Sequence, residues 1–216
     1  METSPGKPRG TTRRSAHLIM WELPAATHGV VGSLSHTIEH RRSLREFDGL
    51  ALEEADLAQL FWSGQGITDA DGLRAAPSAE RTYPIELYAA VPEDILHYLP
   101  VEHAVESRPY DGDLRCDLMM AALGQPSIAA AGAIFVIVAV MERARHRFGA
   151  LGERFTMLEA GHVAQNLLLQ ATALGLRCTP VGNLDDISVQ RILGLPSHEL
   201  PVYLVAVGGP RDRRRG

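Results

Sequence analysis

An α+β fold is predicted by three features of this chain. Residues 154–176 (RFTMLEAGHVAQNLLLQATALGL) are dominated by Ala, Leu, Met and Gln, all good helix formers, and read as one long helix. Within them Leu158, Val163, Leu167, Ala171 and Leu174 recur at spacings of three to five, a broad apolar face. Leu168, Leu169 and Ala173 make the second half apolar nearly all round. A helix of that kind is buried on most sides, in a core or against a second copy of itself. Residues 133–140 (AIFVIVAV) are the second feature, a continuous β-branched run of the kind found in strands covered on both faces. Third, the remaining helical and strand-like segments do not alternate strictly, which favours α+β over a doubly wound sheet.

The elements follow in chain order. Residues 1–32 read as a flexible arm: 1–15 are Gly, Pro, Ser, Thr and Arg, too polar to assemble a core, and 18–28 run extended. The folded domain is expected over 33–211, with 212–216 as a basic tail. Ser33 or Ser35 caps a helix reaching about His40. Leu52 to Gly64 is a second helix, with Glu53, Glu54 and Asp56 suiting its first turn. Residues 64–84 carry the Gly, Asp and Pro punctuation of a long functional loop. Pro84–Val91 and Ile95–Leu99 read as a hairpin. Helices are expected over Asp113–Leu123 and Pro126–Ala131, a basic turn over 142–149, a strand near Arg177–Val181, a helix over Asp186–Leu193 and a last strand over Val202–Val207. Gly175 supplies the stop for the long helix.

Composition bounds the function. The chain has 216 residues, 45% of them hydrophobic, enough for one compact domain. The net charge of −5 is uneven: residues 1–14 and 211–216 each carry +3, which leaves −11 on the body. A nucleic-acid reader would instead carry a basic face on its folded part. The strong apolar run Ala129 to Met141 falls short of the ~20 residues a membrane-spanning helix needs, so a soluble protein is expected, and the sparse cysteines make a reducing cytoplasm the default. Cys116 and Cys178 are too few for a disulfide framework and have no metal-ligand spacing. Nor are the nine histidines paired at ligand spacing on a convincing helix, so no metal is expected.

RRSLREF (41–47) places Arg41, Arg42 and Arg45 within one helical turn around Ser43. Guanidinium forks and a hydroxyl are phosphate-binding groups, and solvated helix ends are the plainer reading. Along the long helix runs a polar stripe, Glu159, His162, Asn166 and Gln170. Glu-x-x-His is half of a di-iron motif, but the second half is missing, so a hydrogen-bonded polar seam is the preferred reading. There is no G-x-G-x-x-G, Walker loop or nucleophile elbow. Any hard chemistry therefore belongs to a bound cofactor.

Taken together, four segments resemble the nitroreductase family of flavin enzymes, with the SagB-type dehydrogenases, related to thiazole and oxazole oxidases, as the most similar branch. They are RRSLREF, the block from Leu57 to Tyr88, the block from Leu158 to Asp186, and LPVYLVAVGGPR (200–211). The resemblance implies a mixed or antiparallel sheet surrounded by helices, in an intertwined homodimer with the long helix in the dimer core and FMN at the subunit interface. It implies that Arg41 and Arg211 hold the FMN phosphate, that Arg42 and Ser43 meet phosphate or ribityl, and that Arg45 faces the pyrimidine end of the ring. Pro77, Ser78 and Ala79 would line the flavin, and Pro180, Val181 and Gly182 would pass their backbone beside it. Two departures stand out: Glu80 follows Pro-Ser-Ala where the family has Gly, and Arg147-Phe148 stands where azoline oxidases carry a Lys-Tyr pair.

The function so implied is hydride transfer from NAD(P)H through FMN to a small organic acceptor of nitro or quinone type. An azoline dehydrogenase acting on a peptide is the alternative, with His146 as its only candidate base nearby. A non-catalytic flavoprotein subunit is the third reading. No catalytic side chain is assigned, because the flavin carries the chemistry.

Overall fold

The computed structural model describes residues 18–28 and 33–211. The arm expected over 1–32 therefore falls largely, and the basic 212–216 tail wholly, outside the described residues. The elements are β1 (Ile19–Glu22), α1 (Leu34–His40), α2 (Glu54–Gln65), β2 (Ile85–Ala90), β3 (Asp94–Leu99), β4 (Ala104–Pro109), α3 (Leu114–Ala121), α4 (Pro126–Ala129), β5 (Ala133–Ala139), α5 (Met141–Phe148), α6 (Leu151–Ala173), β6 (Arg177–Val181), α7 (Asp186–Ile192) and β7 (Leu200–Gly208). The strands make one seven-stranded sheet in the order β1-β4-β3-β2-β5-β7-β6, and every pairing in it is antiparallel.

β5 lies inside the sheet between β2 and β7 and is buried along its whole length. Its alternate side chains explain its unbroken hydrophobicity. Phe135 and Ile137 enter one core with Phe61 of α2, Leu87 of β2, and Val163 and Leu167 of α6. Ile134, Val136 and Val138 enter a second core with Leu114 and Leu118 of α3, Ile128 of α4 and Val189 of α7. Helices thus cover both faces of the sheet, and an antiparallel strand acquires the composition usual for a parallel one.

The hairpin expected over 84–99 is present as β2–β3, with Tyr88 opposite His97. It continues into β4, which the sequence did not announce: AVESRP puts Glu106 and Arg108 into a strand that pairs with both β3 and β1. Residues 141–148 are the helix α5 and not a basic turn. Its Glu142 stands in the first turn and Arg145, His146 and Arg147 in the last, the order that favours the helix dipole. Gly149, at φ 57, breaks the chain before α6. A Cβ on Gly152 would lie 2.6 Å from the Ala144 backbone, so glycine lets α5 and α6 meet.

α6 begins at Leu151, three residues earlier than its composition suggests. Its buried stripe is Thr156, Ala160, Val163, Ala164, Leu167 and Ala171. Leu158, expected on that face, lies off it and is 52% exposed. The end is a Schellman motif: Leu176 donates to Ala171 O and Gly175, at φ +72, to Thr172 O.

Candidate functional site

The arginine segment 41–47 is not a helical turn. α1 stops at His40, with Arg41 as its C-cap, and the chain then runs alongside β6. Ser43 forms a parallel bridge with Cys178, and Phe47 an antiparallel one with Pro210. Leu44 N donates to Cys178 O at 2.9 Å, Asp48 N to Gly209 O at 3.1 Å, and Arg177 Nη1 to Glu46 O at 3.0 Å. Tertiary hydrogen bonds thus replace those of a helix. In an extended run alternate side chains share a side, which groups Arg41, Ser43 and Arg45. Arg42 falls on the other side, and its Nη1 donates to the carbonyls of Glu39 and Arg41.

Two glycines allow the closure onto β7. A Cβ on Gly208 would lie 3.0 Å from the Phe47 ring, and one on Gly209 would overlap the Asp48 carboxylate. The closure leaves a cavity of about 350 Å³ between residues 45–49, the start of α4 and Arg211. Acids and bases both line it, but they are engaged differently. Buried Asp48 accepts from Leu50 N, and Glu46 Oε2 lies 3.9 Å from Arg177. Among the described residues, Arg41, Arg45 and Arg211 have no carboxylate partner. An anion with several acceptor oxygens is what such a set can hold.

The Pro77-Ser78-Ala79 segment stands elsewhere, beside α5 and the first half of α6. Pro77 is exposed, and Ser78 and Ala79 are half-buried. The Ser78 hydroxyl oxygen accepts from Tyr83 N at 2.9 Å. Glu80, Arg81 and Tyr83 adopt φ of 51°, 57° and 41°, a region costly for side-chain-bearing residues. Glu80 stands where the resembled family has glycine, and the backbone there keeps a glycine-like conformation. Its carboxylate is bound by Arg147 of α5 at 3.0 Å.

Behind this loop sits Glu159, only 3% exposed. Burial pushes its carboxyl up to about 7, against the opposing influence of the nearby Ser78 hydroxyl, Arg74 and Gln65. Glu159 Oε1 and Gln65 Nε2 are both buried without a hydrogen-bond partner. The rest of the polar stripe on α6 divides. Asn166 Nδ2 donates to Ser63 O and Ala75 O, and Gln170 Oε1 accepts from Gln59 at 3.5 Å, the seam expected. His162 is exposed and takes no part. Within the chain α6 therefore separates the two groups of residues: Ser78 lies at Glu159, whereas Cys178, the partner of Ser43, donates from Sγ to Leu168 O. Nine residues of helix is about 13 Å.

At the end of β6, Pro180 is half-buried, Val181 buried and Gly182 exposed. A Cβ on Gly182 would meet only the Tyr203 ring, at 3.5 Å, an ordinary contact. Cys178 is buried and its thiol is pushed up to about 11 by that burial, in keeping with a packing role. His146 is exposed on α5. Sequence reasoning missed three things: the burial of Glu159, the roles of Arg74 and Arg143 around it, and the pairing of His36 with His40, whose ring centroids lie 3.9 Å apart on α1. Their i, i+4 spacing was a readable signal.

An antiparallel sheet clad by helices on both faces, with an arginine-bearing segment laid against its β6 edge, makes this an α+β protein. The model of the nitroreductase family matches residues 38–209, and the chain belongs to that family of oxidoreductases. It is 36% identical over 181 residues to the nitroreductase-type protein MJ1384 of Methanocaldococcus jannaschii, covering 81% of this chain and 90% of that one. The crystal structure of a nitroreductase-type protein from Ralstonia eutropha is similar with a TM-score of 0.78 and 27% identity, over 97% of this chain and 95% of that one. The NADPH:FMN oxidoreductase of Vibrio harveyi, solved with NAD⁺, shares the fold at a TM-score of 0.62 and 19% identity, over 82% of this chain and 68% of that one. Among the described residues, no helix is long and apolar enough to cross a membrane.

Proposed function

We propose that this chain is an FMN-dependent oxidoreductase that passes hydride from NAD(P)H through the flavin to a small organic acceptor of nitro or quinone type. The observation that carries the reading is the cavity lined by Arg45 and Arg211 beside the Ser43 segment, whose guanidinium groups have no carboxylate partner among the described residues while Asp48 and Glu46 are engaged. That donor set fits a phosphate monoester, as FMN carries. Arg41 and Arg211 would hold the phosphate, Ser43 a phosphate or ribityl oxygen, and Arg45 the pyrimidine end. Arg42 is bonded to backbone carbonyls, which makes it the weakest of the proposed contacts. Pro180 to Gly182 would present backbone to the ring, with Gly182 open on its exposed side.

When bound, the flavin supplies reversible hydride acceptance. Around it the chain's own residues bind and orient. A cation at Arg45 would favour the anionic reduced ring. Pro77, Ser78 and Ala79 would line the flavin from a second copy, because in one protomer they are set apart from Ser43 along α6. Exposed Leu34 and Ile38 on α1, and Leu151, Met157 and Leu158 on α6, are apolar surface that such a homodimer would cover.

Proton removal from a peptide azoline needs a base, and a base works best when its pKa lies near the working pH. Arg147 is held by Glu80 and Phe148 has no titrating group. The expected result is turnover of nitro and quinone acceptors with NAD(P)H and little or no thiazole formation from a thiazoline peptide. Flavin-dependent thiazole formation that disappears in His146→Ala would overturn this choice of acceptor.

A further inference from the structure

We propose that His36, Glu39 and His40 form a site for one borderline divalent cation of the Zn²⁺ class on the exposed side of α1. One ligand atom from each of the three lies within 4.8 Å of the others. The spacing explains the meeting: side chains four apart on a helix stand one above the other. His40 is also oriented. Its Nδ1 lies 2.8 Å from the carbonyl of His36. An Nδ1–H donated to that carbonyl leaves Nε2 with the lone pair, the arrangement by which metal-binding imidazoles are commonly fixed.

Glu39 completes the set. Its carboxylate makes no ion pair among the described residues, and neighbouring Arg42 binds its backbone oxygen instead. The positive charges of Arg41 and Arg42 oppose a cation here, and Glu39 offsets part of that. Two imidazoles and one carboxylate suit Zn²⁺, Ni²⁺ or Cu²⁺, and suit Ca²⁺ or Mg²⁺ poorly, since those prefer oxygen throughout. Three protein ligands leave a position for water. His-x-x-Glu-His also occurs in zinc peptidases, but all three residues here are exposed, so binding is inferred and hydrolysis is not.

The site stays open in the proposed dimer. At 3.6 residues per turn, His36 and His40 lie roughly opposite Leu34 and Ile38, the apolar side of α1. A helix of seven residues is marginal by itself. A cation bridging its last turn would brace it at the point where the chain passes to Arg41.

The test is a calorimetric titration of the chelator-stripped full chain, without affinity tag, with Zn²⁺ alone. Wild type and His162→Ala should each bind one more Zn²⁺ per chain than the double variant His36→Ala/His40→Ala. Either single substitution should weaken that equivalent by at least roughly tenfold. Alanine favours helix, so the double variant keeps its far-ultraviolet circular dichroism. Cu²⁺ in place of Zn²⁺ should give imidazole nitrogen couplings in its electron paramagnetic resonance spectrum that the double variant lacks. No Zn²⁺ binding by wild type, or equal stoichiometry and affinity in wild type and double variant, would overturn the proposal.

Discussion

Arg41 and Glu159 illustrate two kinds of charge in this molecule. Arg41 is half-buried at the C-cap of α1, and the pairing of Ser43 with Cys178 fixes the chain beside it against β6. Losing a charged hydrogen-bond partner typically costs ~1.5–3 kcal/mol, so Arg41→Ala should weaken FMN binding roughly ten- to a hundredfold, measured by flavin fluorescence on titration. Glu159 behaves oppositely. Its folded carboxyl holds its proton up to about pH 7, against an ordinary 4.5, so between those values the folded state binds more protons than the unfolded one. Stability from this group is therefore greatest at low pH, falls as pH rises through that window, and stays reduced above it. Glu159→Gln should remove that dependence. The gain should be about 1–3 kcal/mol at pH 8 and should shrink toward pH 5, as read by urea unfolding at both values. An equal difference at both values would mean that the carboxyl is not shifted. Sequence placed Glu159 on a polar stripe correctly, but its isolation depends on which side of α6 meets the sheet, and that is not a local property.

Among the elements, those legible in sequence were those whose signal is local. β5 announced itself by a run of β-branched residues, α6 by composition and length, and Gly175 by the need for a left-handed residue after a helix. β4 did not, because AVESRP carries three consecutive polar residues with no period-two alternation and gains its identity only from β3 and β1 on either side. α5 was hidden by its charge. RRSLREF was misread as helical because its true partners, Cys178 and Pro210, are more than a hundred residues away. The α5–α6 pair supplies a test at this scale. Gly152→Ala would drive a methyl into the Ala144 backbone, and overpacking of that kind costs about 1–3 kcal/mol. A fall of that size in denaturant unfolding is expected, and an unchanged midpoint would show that α5 moves freely.

At the scale of the whole molecule, the chain has the sheet topology of the nitroreductase family, and the proposed flavin contacts fall in two places that a second copy would bring together. Leu167 and Leu168 are buried within the single chain, so charging them tests the core and not an interface. The outward face of α6 carries Met157, Leu158 and Gly161, and nothing lies within 4 Å of a Cβ placed on Gly161. A second copy would find close approach there. Wild type should therefore scatter light as a dimer at micromolar concentration. Leu158→Glu should be folded but shifted toward monomer, with FMN lost in parallel, since Ser78 would come from the partner. A stable wild-type monomer that still holds FMN would contradict the shared site.

If the arginine segment against β6 holds a flavin phosphate, the visible absorption spectrum of the purified protein will show it. The expected result is a yellow protein with about one FMN per chain, bleached by NADPH without oxygen. A colourless protein that takes up no added FMN would contradict it.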